Sequence, residues 1–318
     1  MSSLYVGITD NDWFKFLKEL NKKKGSLEEV NFWIPSGRNF VALKPGELFL
    51  FKLHSPIHKI AGGGFFVRFL RLPLSYAWYS FGEMNGVPNL LLFRKRISGY
   101  RNNPVGDKDP IIGCVILHSP FFLNESDYID VPEDWKRGIQ QGKKYSIEKG
   151  YGKELLEAVM KVFRASQFTS MNQSQQTLVK EIEANYGTPQ LIFPRLGQSA
   201  FRALVADEYK QTCAITGEKL LPALEAAHIK PFSLGGPHKI SNGILIRRDL
   251  HALFDRGYLA IVLEKNHSNY KVLISSKVSV ESDYKKLNNS KLIIVPDNYV
   301  NKPNPEFLTW HYENIFMK

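Results

Sequence analysis

The chain has 318 residues, 43% hydrophobic and 23% charged, which is the ordinary mixture of a globular protein. This length favours two domains, because single cores rarely grow beyond about 250–300 residues. No apolar run approaches the roughly 18 residues of a membrane span, and the N-terminus lacks the pattern of a signal peptide. Cys114 and Cys213 are too few for a disulfide framework or a cysteine-built zinc site. We therefore expect a cytoplasmic protein without a membrane segment.

The chain is basic, with 42 Lys and Arg against 31 Asp and Glu, a net charge of +11. From Arg195 to the C-terminus there are 17 basic and 12 acidic residues, so the excess is +5 there and +6 in the remainder. The positive charge is thus spread over both halves rather than confined to a tail. A nucleic-acid partner explains this excess, and a solvated basic surface explains it equally well.

The first 150 residues are predicted to be mainly β-structure. A helix is expected over Asp10–Lys24, with Thr9 or Asp10 as its N-cap. Short aromatic and β-branched runs between Gly and Pro residues then predict strands at Leu48–Leu53, Gly63–Leu70 and Ile111–Leu123. The number of such runs favours a compact, barrel-like sheet with flanking helices.

Residues 151–193 are predicted to form a helical connector, and a second domain is predicted from residue 194 to residue 318. In the connector, apolar residues recur at helical spacing, as in Leu155, Val159 and Phe163. The second domain opens with an amphipathic helix whose apolar face carries Phe201, Leu204, Val205 and Tyr209. The chain as a whole is therefore assigned to the α+β class.

The segment from Cys213 to Ile261 has the pattern strand, loop, strand, helix. One strand is predicted over Ala223–Ile229, and Pro231–Ser241 holds two glycines and two prolines, which indicate a loop. A second strand at Gly243–Ile246 leads into a helix at Arg248–Asp255. Gly257 follows that helix, where a left-handed cap is expected.

Three residues of this segment suit phosphodiester hydrolysis, which needs an activated water and a cation at the phosphate. His228 is predicted to be the general base, because neutral imidazole accepts a proton near physiological pH. Asn242 would orient that histidine or lock the loop to the second strand. His251 would bind the metal, and Asp255, four residues later on the same helical face, would complete or support that site or pair with a nearby arginine.

The same segment resembles the HNH endonuclease superfamily, in particular the branch of McrA-like modification-dependent restriction enzymes. The resemblance rests on Gly197–Arg202, Thr216–Glu218, Glu225–Pro231, Asn242–Asp255 and Trp310–Phe316. It implies a ββα-metal fold with catalytic residues His228, Asn242 and His251 and one divalent ion, Mg²⁺ or Mn²⁺. Many members have a metal ligand just before the first histidine, where this chain has Ala227. Glu225 is expected to point away from His228, which leaves His251 and Asp255 as the predicted ligands.

The first domain resembles the PUA-like group that includes EVE and ASCH domains, on Asn31–Phe40 and Leu43–Phe66. That resemblance implies a pocket for a modified base, stacked on aromatic rings. Trp33 is the preferred stacking residue, and burial in the core is the alternative for the other aromatic residues. The predicted pocket residues are Trp33, Phe32, Ser36, Arg38, Tyr76 and Trp78.

Basic residues in both domains are predicted to contact DNA phosphates. In the first domain they lie in Leu91–Arg101, expected to be an edge strand or loop, with a solvated surface as the alternative. The predicted DNA-binding residues are Arg94, Lys95, Arg96, Arg195, Gln198, Arg202, Lys230, Arg247 and Arg248. His118, His238 and His267 are predicted to be structural.

Together these patterns predict a type IV-like restriction endonuclease that acts on double-stranded DNA carrying 5-methylcytosine or 5-hydroxymethylcytosine. A homodimer is expected, because cutting two strands needs two active sites or successive nicks. Two alternatives stay open. One is an HNH nuclease for unmodified DNA, and the other is a modified-DNA-binding protein without catalytic activity.

Overall fold

The computed structural model describes residues 2–101, 108–167, 196–264 and 269–318. The chain divides into two compact units, Met1–Arg195 and Leu196–Lys318, called here the first and the second unit. Two residues singled out in the sequence, Arg195 and His267, lie outside the described residues. Across the described ranges, no helix combines the length and apolarity that a membrane crossing requires. Both cysteines are buried and free.

One seven-stranded sheet organises the first unit. Its strands are β1 (Ser3–Thr9), β2 (Glu29–Ile34), β3 (Leu48–Leu53), β4 (Lys59–Pro73), β5 (Ile111–Phe122), β6 (Ile129–Asp130) and β7 (Gly142–Ser146). The order is β2-β5-β4-β3-β1-β7, with β6 beside β4, and only the β1–β3 pair is parallel among the pairings described. The predicted strands are confirmed. The expected closed PUA-like barrel is not seen in the described residues. The strands at the two ends of this order, β2 and β7, do not pair with each other there.

In the described part of this unit, the sheet is accompanied by the helices α1 (Asn11–Lys24), α2 (Leu74–Phe81), α3 (Leu90–Arg101) and α4 (Tyr151–Gln167). The first begins as predicted, because the Asp10 carboxylate accepts the backbone N–H of Trp13 at 2.8 Å. Helix α4 begins the segment that was predicted to be a connector. Its residues Leu155, Val159 and Phe163 are buried in the core of the first unit, with strand residues such as Phe121.

The segment that carries Arg94, Lys95 and Arg96 is helix α3, which corrects the prediction of an edge strand or loop. Phe93 and Ile97 lie four residues apart and are fully buried, which is the spacing of one helical face. The mixture of basic and apolar residues that suggested a strand therefore follows from the helical period.

The second unit contains the predicted strand, loop, strand and helix. Its helices are α5 (Gln198–Glu208), α6 (Arg248–Asp255) and α7 (Pro305–Asn314), and its strands are β8 (Leu224–His228), β9 (Gly243–Arg247), β10 (Leu259–Leu263) and β11 (Tyr270–Ile274). Strands β8 and β9 form one antiparallel pair, and β10 and β11 form another. Gly257 follows α6 with φ of +76°, and a Cβ there would lie 2.1 Å from the carbonyl oxygen of Ile315. Both observations favour glycine, as the sequence predicted.

Among the described residues, one histidine in each unit is buried. His118 on β5 is 5% exposed, and burial lowers its pKa to about 4. His311 on α7 is 2% exposed and stacks on Phe254 with ring centroids 3.8 Å apart. Burial also lowers the pKa of His311 to about 4, against a smaller opposing effect of its hydrogen bond to the Phe254 carbonyl. Both rings are therefore neutral in the folded protein near pH 7.

These two histidines are expected to make the protein less stable in acid. Their folded pKa lies below the ordinary value near 6.5, so the unfolded chain binds protons more readily as pH falls from about 6.5 to 4. Stability is thus full above pH 6.5 and declines toward pH 4, by roughly 3 kcal/mol for each residue. Urea unfolding of His118→Asn and His311→Gln between pH 7 and 4 should show a flatter pH dependence than the wild type. An unchanged slope in both variants would contradict the assignment.

Candidate active site

The hairpin of β8 and β9 carries His228 at its loop end. The strands pair from Leu224 with Arg247 to His228 with Gly243, so His228 is the last residue of β8 before the loop. Helix α5 packs against this end of the hairpin through Phe201, which is fully buried. The ring of Phe201 stacks on the His228 imidazole with centroids 4.0 Å apart and planes 12° apart. The imidazole is therefore held on one face by an apolar surface.

Asn242 is fully buried and holds the loop between the two strands. Its Oδ1 accepts the backbone N–H of Lys230 at 2.9 Å, and its Nδ2 donates to the carbonyls of Lys230 and Pro237 at 2.9 and 3.0 Å. Gly236 is needed beside it, since a Cβ there would lie 1.9 Å from the Lys230 carbonyl oxygen and 2.9 Å from Asn242 Nδ2. Of the two roles predicted for Asn242, these contacts favour locking the loop.

The other contact of His228 is a second histidine. His228 Nε2 lies 3.0 Å from Nδ1 of His238, which the loop carries. Burial is the main effect that lowers the pKa of His228, to about 4; electrostatic interactions with His238, His251 and Arg202 lower it further, and Asp255 opposes them. His228 is consequently neutral near pH 7, the state that a general base requires.

His251 lies on α6 between two carboxylates. Its Nδ1 is 2.8 Å from Glu225 Oε2, and its Nε2 is 3.3 Å from Asp255 Oδ2. Burial lowers the pKa of His251, but the hydrogen bonds and charges of Asp255 and Glu225 outweigh it and raise the pKa above its ordinary value. Glu225, which was left out of the predicted ligand set, therefore contacts one of the predicted ligands. Glu225 reaches His251 because α6 packs against β8, a contact that strand alternation does not reveal.

The donor set at α6 fits a divalent ion held by few protein ligands. His251 Nε2 and Asp255 Oδ2 are 3.3 Å apart, a separation that two ligands of one ion can have when each bond is about 2.0–2.2 Å. Glu225 on the opposite ring nitrogen has the geometry of a carboxylate that orients a ligating histidine. Ala227 is fully buried and offers no ligand. In the part of the chain that the structure describes, no three His, Cys, Asp or Glu side chains converge as a ready cation site.

Several of the predicted DNA-binding residues form contacts within the protein. Arg96 pairs with Asp10 and Asp12 at 3.1 Å, Arg248 pairs with Glu225 at 3.2 Å, and Arg247 pairs with Asp249. Lys230 lies over the Trp310 ring at 5.3 Å. Arg94, Lys95 and Gln198 are exposed, and Arg202 is half-buried. Arg94, Lys95 and Arg248 are thus the exposed cations among the described residues of the predicted set, and Arg248 is the one of them with an ion pair described above.

Trp33, the preferred stacking residue of the predicted base pocket, is part of the core. Trp33 is 8% exposed, and its indole N–H donates to the Asn85 carbonyl at 3.0 Å. Its ring packs near Phe93 and Tyr100 of α3. Tyr76 is also buried, Phe32 and Trp78 are half-buried, and Ser36 and Arg38 are exposed. Trp33 and Tyr76 therefore cannot stack on an extruded base in this conformation.

Three contact residues of the site were not identified from the sequence: Glu225, His238 and Phe201 as a stacking partner. Phe201 was predicted only as part of an apolar helix face. His238 was predicted to be structural. It follows Pro237, one of the loop residues whose carbonyl accepts a hydrogen bond from Asn242. The sequence did contain a signal for His238. The loop that carries it begins directly after His228, the predicted general base, so the two side chains can come within contact distance.

A comparison with protein-family models matches residues 213–262 to the family described as HNH endonuclease. The matched segment includes His228, Asn242, His251 and Asp255. The second unit therefore carries an HNH endonuclease domain, and such a domain indicates nuclease activity on DNA. No curated protein matches the chain. The HNH resemblance is confirmed, while the McrA-like branch and the PUA-like group stay predictions.

Proposed function

We propose that the protein is a metal-dependent DNA endonuclease whose active site is the hairpin and helix of the second unit. The observation that carries the proposal is a neutral histidine at the hairpin end, His228, in the same matched segment as the His251–Asp255 pair. A base and a cation site are the two components that phosphodiester hydrolysis requires.

In this mechanism His228 takes a proton from the attacking water, and the oxygen of that water forms the new bond to phosphorus. The bond from phosphorus to the leaving sugar oxygen breaks, and that oxygen takes a proton from solvent. His251 and Asp255 would hold one divalent ion, Mg²⁺ or Mn²⁺, which supplies charge stabilisation at the scissile phosphate when bound. Glu225 keeps the His251 ring oriented, and Asn242 keeps the loop in place. Arg202, whose positive charge acts on His228, is suited to a nearby phosphate.

The first unit is assigned to DNA reading in this proposal, with modified cytosine as the ligand that the PUA-like resemblance implies. The features that support DNA contact are the exposed Arg94 and Lys95 on α3. Because Trp33 is buried, the stacking surface of such a pocket would have to come from half-buried rings. Tyr5, Phe32 and Phe40 are half-buried rings of this unit, each within 5.3 Å of another aromatic ring centroid.

Digestion of matched duplexes tests the whole proposal. The full-length protein is incubated with unmodified, 5-methylcytosine and 5-hydroxymethylcytosine DNA, with Mg²⁺ or Mn²⁺ and with EDTA. We expect cleavage that requires the metal and prefers a modified substrate. Equal cutting of all three duplexes would support the nuclease activity but contradict recognition of a modified base by the first unit. Binding without cleavage under every condition would instead support a protein that only binds DNA.

The same assay reports how the two strands are cut. A homodimer, which forms part of the proposal, brings two active sites to one duplex. Accumulation of nicked plasmid before linear product indicates successive nicks by one site at a time, whereas direct conversion to linear product indicates two sites acting together.

A further inference from the structure

The contact between His228 and His238 has two possible proton arrangements, because a hydrogen bond between neutral imidazoles needs one donor and one acceptor. If His228 donates through Nε2, its Nδ1 keeps a lone pair that can accept a proton from water. If His238 donates through Nδ1, the single proton of neutral His228 is on Nδ1, and its remaining lone pair is already engaged. Only the first arrangement leaves His228 able to act as a base.

Both rings are held in place by stacking and by the loop. Phe201 covers His228, and Phe232 stacks on His238 with ring centroids 4.3 Å apart and planes 7° apart. His238 follows Pro237, whose carbonyl accepts a hydrogen bond from Asn242 at 3.0 Å. The 3.0 Å approach of the two nitrogen atoms therefore belongs to a fixed arrangement of ring, loop and strand.

We infer that His238 is a positioning residue for His228, which accepts the Nε2–H of His228 and thereby keeps the lone pair of His228 on Nδ1. This inference rests on the proposed function, in which His228 is the base. When a water gives its proton to Nδ1, the resulting imidazolium keeps its Nε2–H directed at His238 Nδ1, which stabilises the added charge. The hydroxide so formed attacks phosphorus, and the leaving oxygen takes a proton from solvent.

The role inferred for His238 differs from the roles of the other groups around His228. The charged and titratable groups near its ring are Arg202 on α5, His238 in the loop, and His251 and Asp255 on α6. Of these, His238 lies within hydrogen-bond distance of a ring nitrogen of His228, with Nε2 and Nδ1 3.0 Å apart. Losing the imidazole at position 238 should therefore change the proton position of His228 while the α6 site is kept.

The test compares the full-length wild type with His238→Phe and His238→Asn. Phenylalanine keeps a ring to stack on Phe232 but removes the acceptor, and the asparagine amide oxygen can replace it. We expect His238→Phe to lower kcat by about tenfold or more with little change in KM, because a wrong tautomer disables a base. His238→Asn should recover most of the rate. Equal rates in all three proteins would overturn the inference.

A second readout does not depend on cleavage. The ¹⁵N shifts of the His228 ring, assigned by their loss in His228→Ala, distinguish a proton on Nε2 from one on Nδ1. We expect an Nε2–H tautomer in the wild type and in His238→Asn, and a mixed population in His238→Phe. An Nδ1–H tautomer in the wild type would overturn the inference even if the protein cuts DNA. Failure of the wild type to cut any duplex would refute the proposed function, while the tautomer result would still decide whether His238 positions His228.

Discussion

His228→Ala is expected to slow DNA cleavage by about 10²–10⁴-fold, the range that a positioned general base contributes. The remaining groups keep their places, since Glu225, His251 and Asp255 contact one another and do not depend on His228 for these bonds. Affinity for DNA should therefore be close to that of the wild type. The measurement is single-turnover cleavage with saturating protein, combined with a binding titration in EDTA.

The control for His228→Ala is Glu313→Gln, an exposed charge on α7 whose removal should leave both quantities unchanged. Removing His228 also exposes one face of Phe201, so the free energy of unfolding is measured in parallel. A folded His228→Ala protein that cuts DNA at the wild-type rate would show that another group is the base. Lost affinity with an intact rate per bound complex would instead make His228 a DNA-binding residue.

His251→Ala should abolish metal-dependent cleavage, and Glu225→Gln should weaken the affinity for Mn²⁺ by about 10–100-fold. The reason for the second effect is that a neutral amide orients the His251 ring less strongly than the carboxylate, which accepts from Nδ1 at 2.8 Å. Calorimetric titration of the full-length protein with MnCl₂ measures both effects in the absence of DNA. Raising the Mn²⁺ concentration should restore cleavage in Glu225→Gln but not in His251→Ala.

Glu281→Gln provides the matched control, because Glu281 is an exposed glutamate of the second unit. Its substitution should not change the Mn²⁺ affinity. Wild-type Mn²⁺ affinity in His251→Ala would place the cation elsewhere and would remove His251 and Asp255 as its ligands. Wild-type affinity in Glu225→Gln alone would limit Glu225 to a structural contact with His251 and Arg248.

Local patterns predicted most of the second unit. The glycines and prolines of the loop, the two short apolar runs and the helix end at Gly257 are all properties of neighbouring residues, and each element forms where it was expected. The pairing of Glu225 with His251 joins residues 26 positions apart. Its prediction needs the face on which α6 packs, and that face is decided by the burial of Leu250 and Phe254 rather than by strand alternation.

The first unit was harder to predict because its exposed and buried aromatic residues have similar local sequences. Trp33 lies in a strand with an apolar neighbour on each side, a pattern that fits a pocket wall as well as a core. Its burial results from packing against Phe93 and Tyr100, which lie far along the chain in a segment that was itself expected to be an edge strand or loop. The wrong secondary-structure prediction for the segment that forms α3 therefore also affected the prediction that Trp33 lines a pocket.

The three hydrogen bonds of Asn242 have a consequence for the encounter with DNA. They fix both ends of the loop that carries His238, so the conformational entropy of this segment is lost when the protein folds. Ordering the same segment during association would subtract from the free energy of binding, by about 0.5–1.5 kcal/mol for each immobilised side chain. A loop that is already ordered lets the contacts with a duplex contribute fully to affinity.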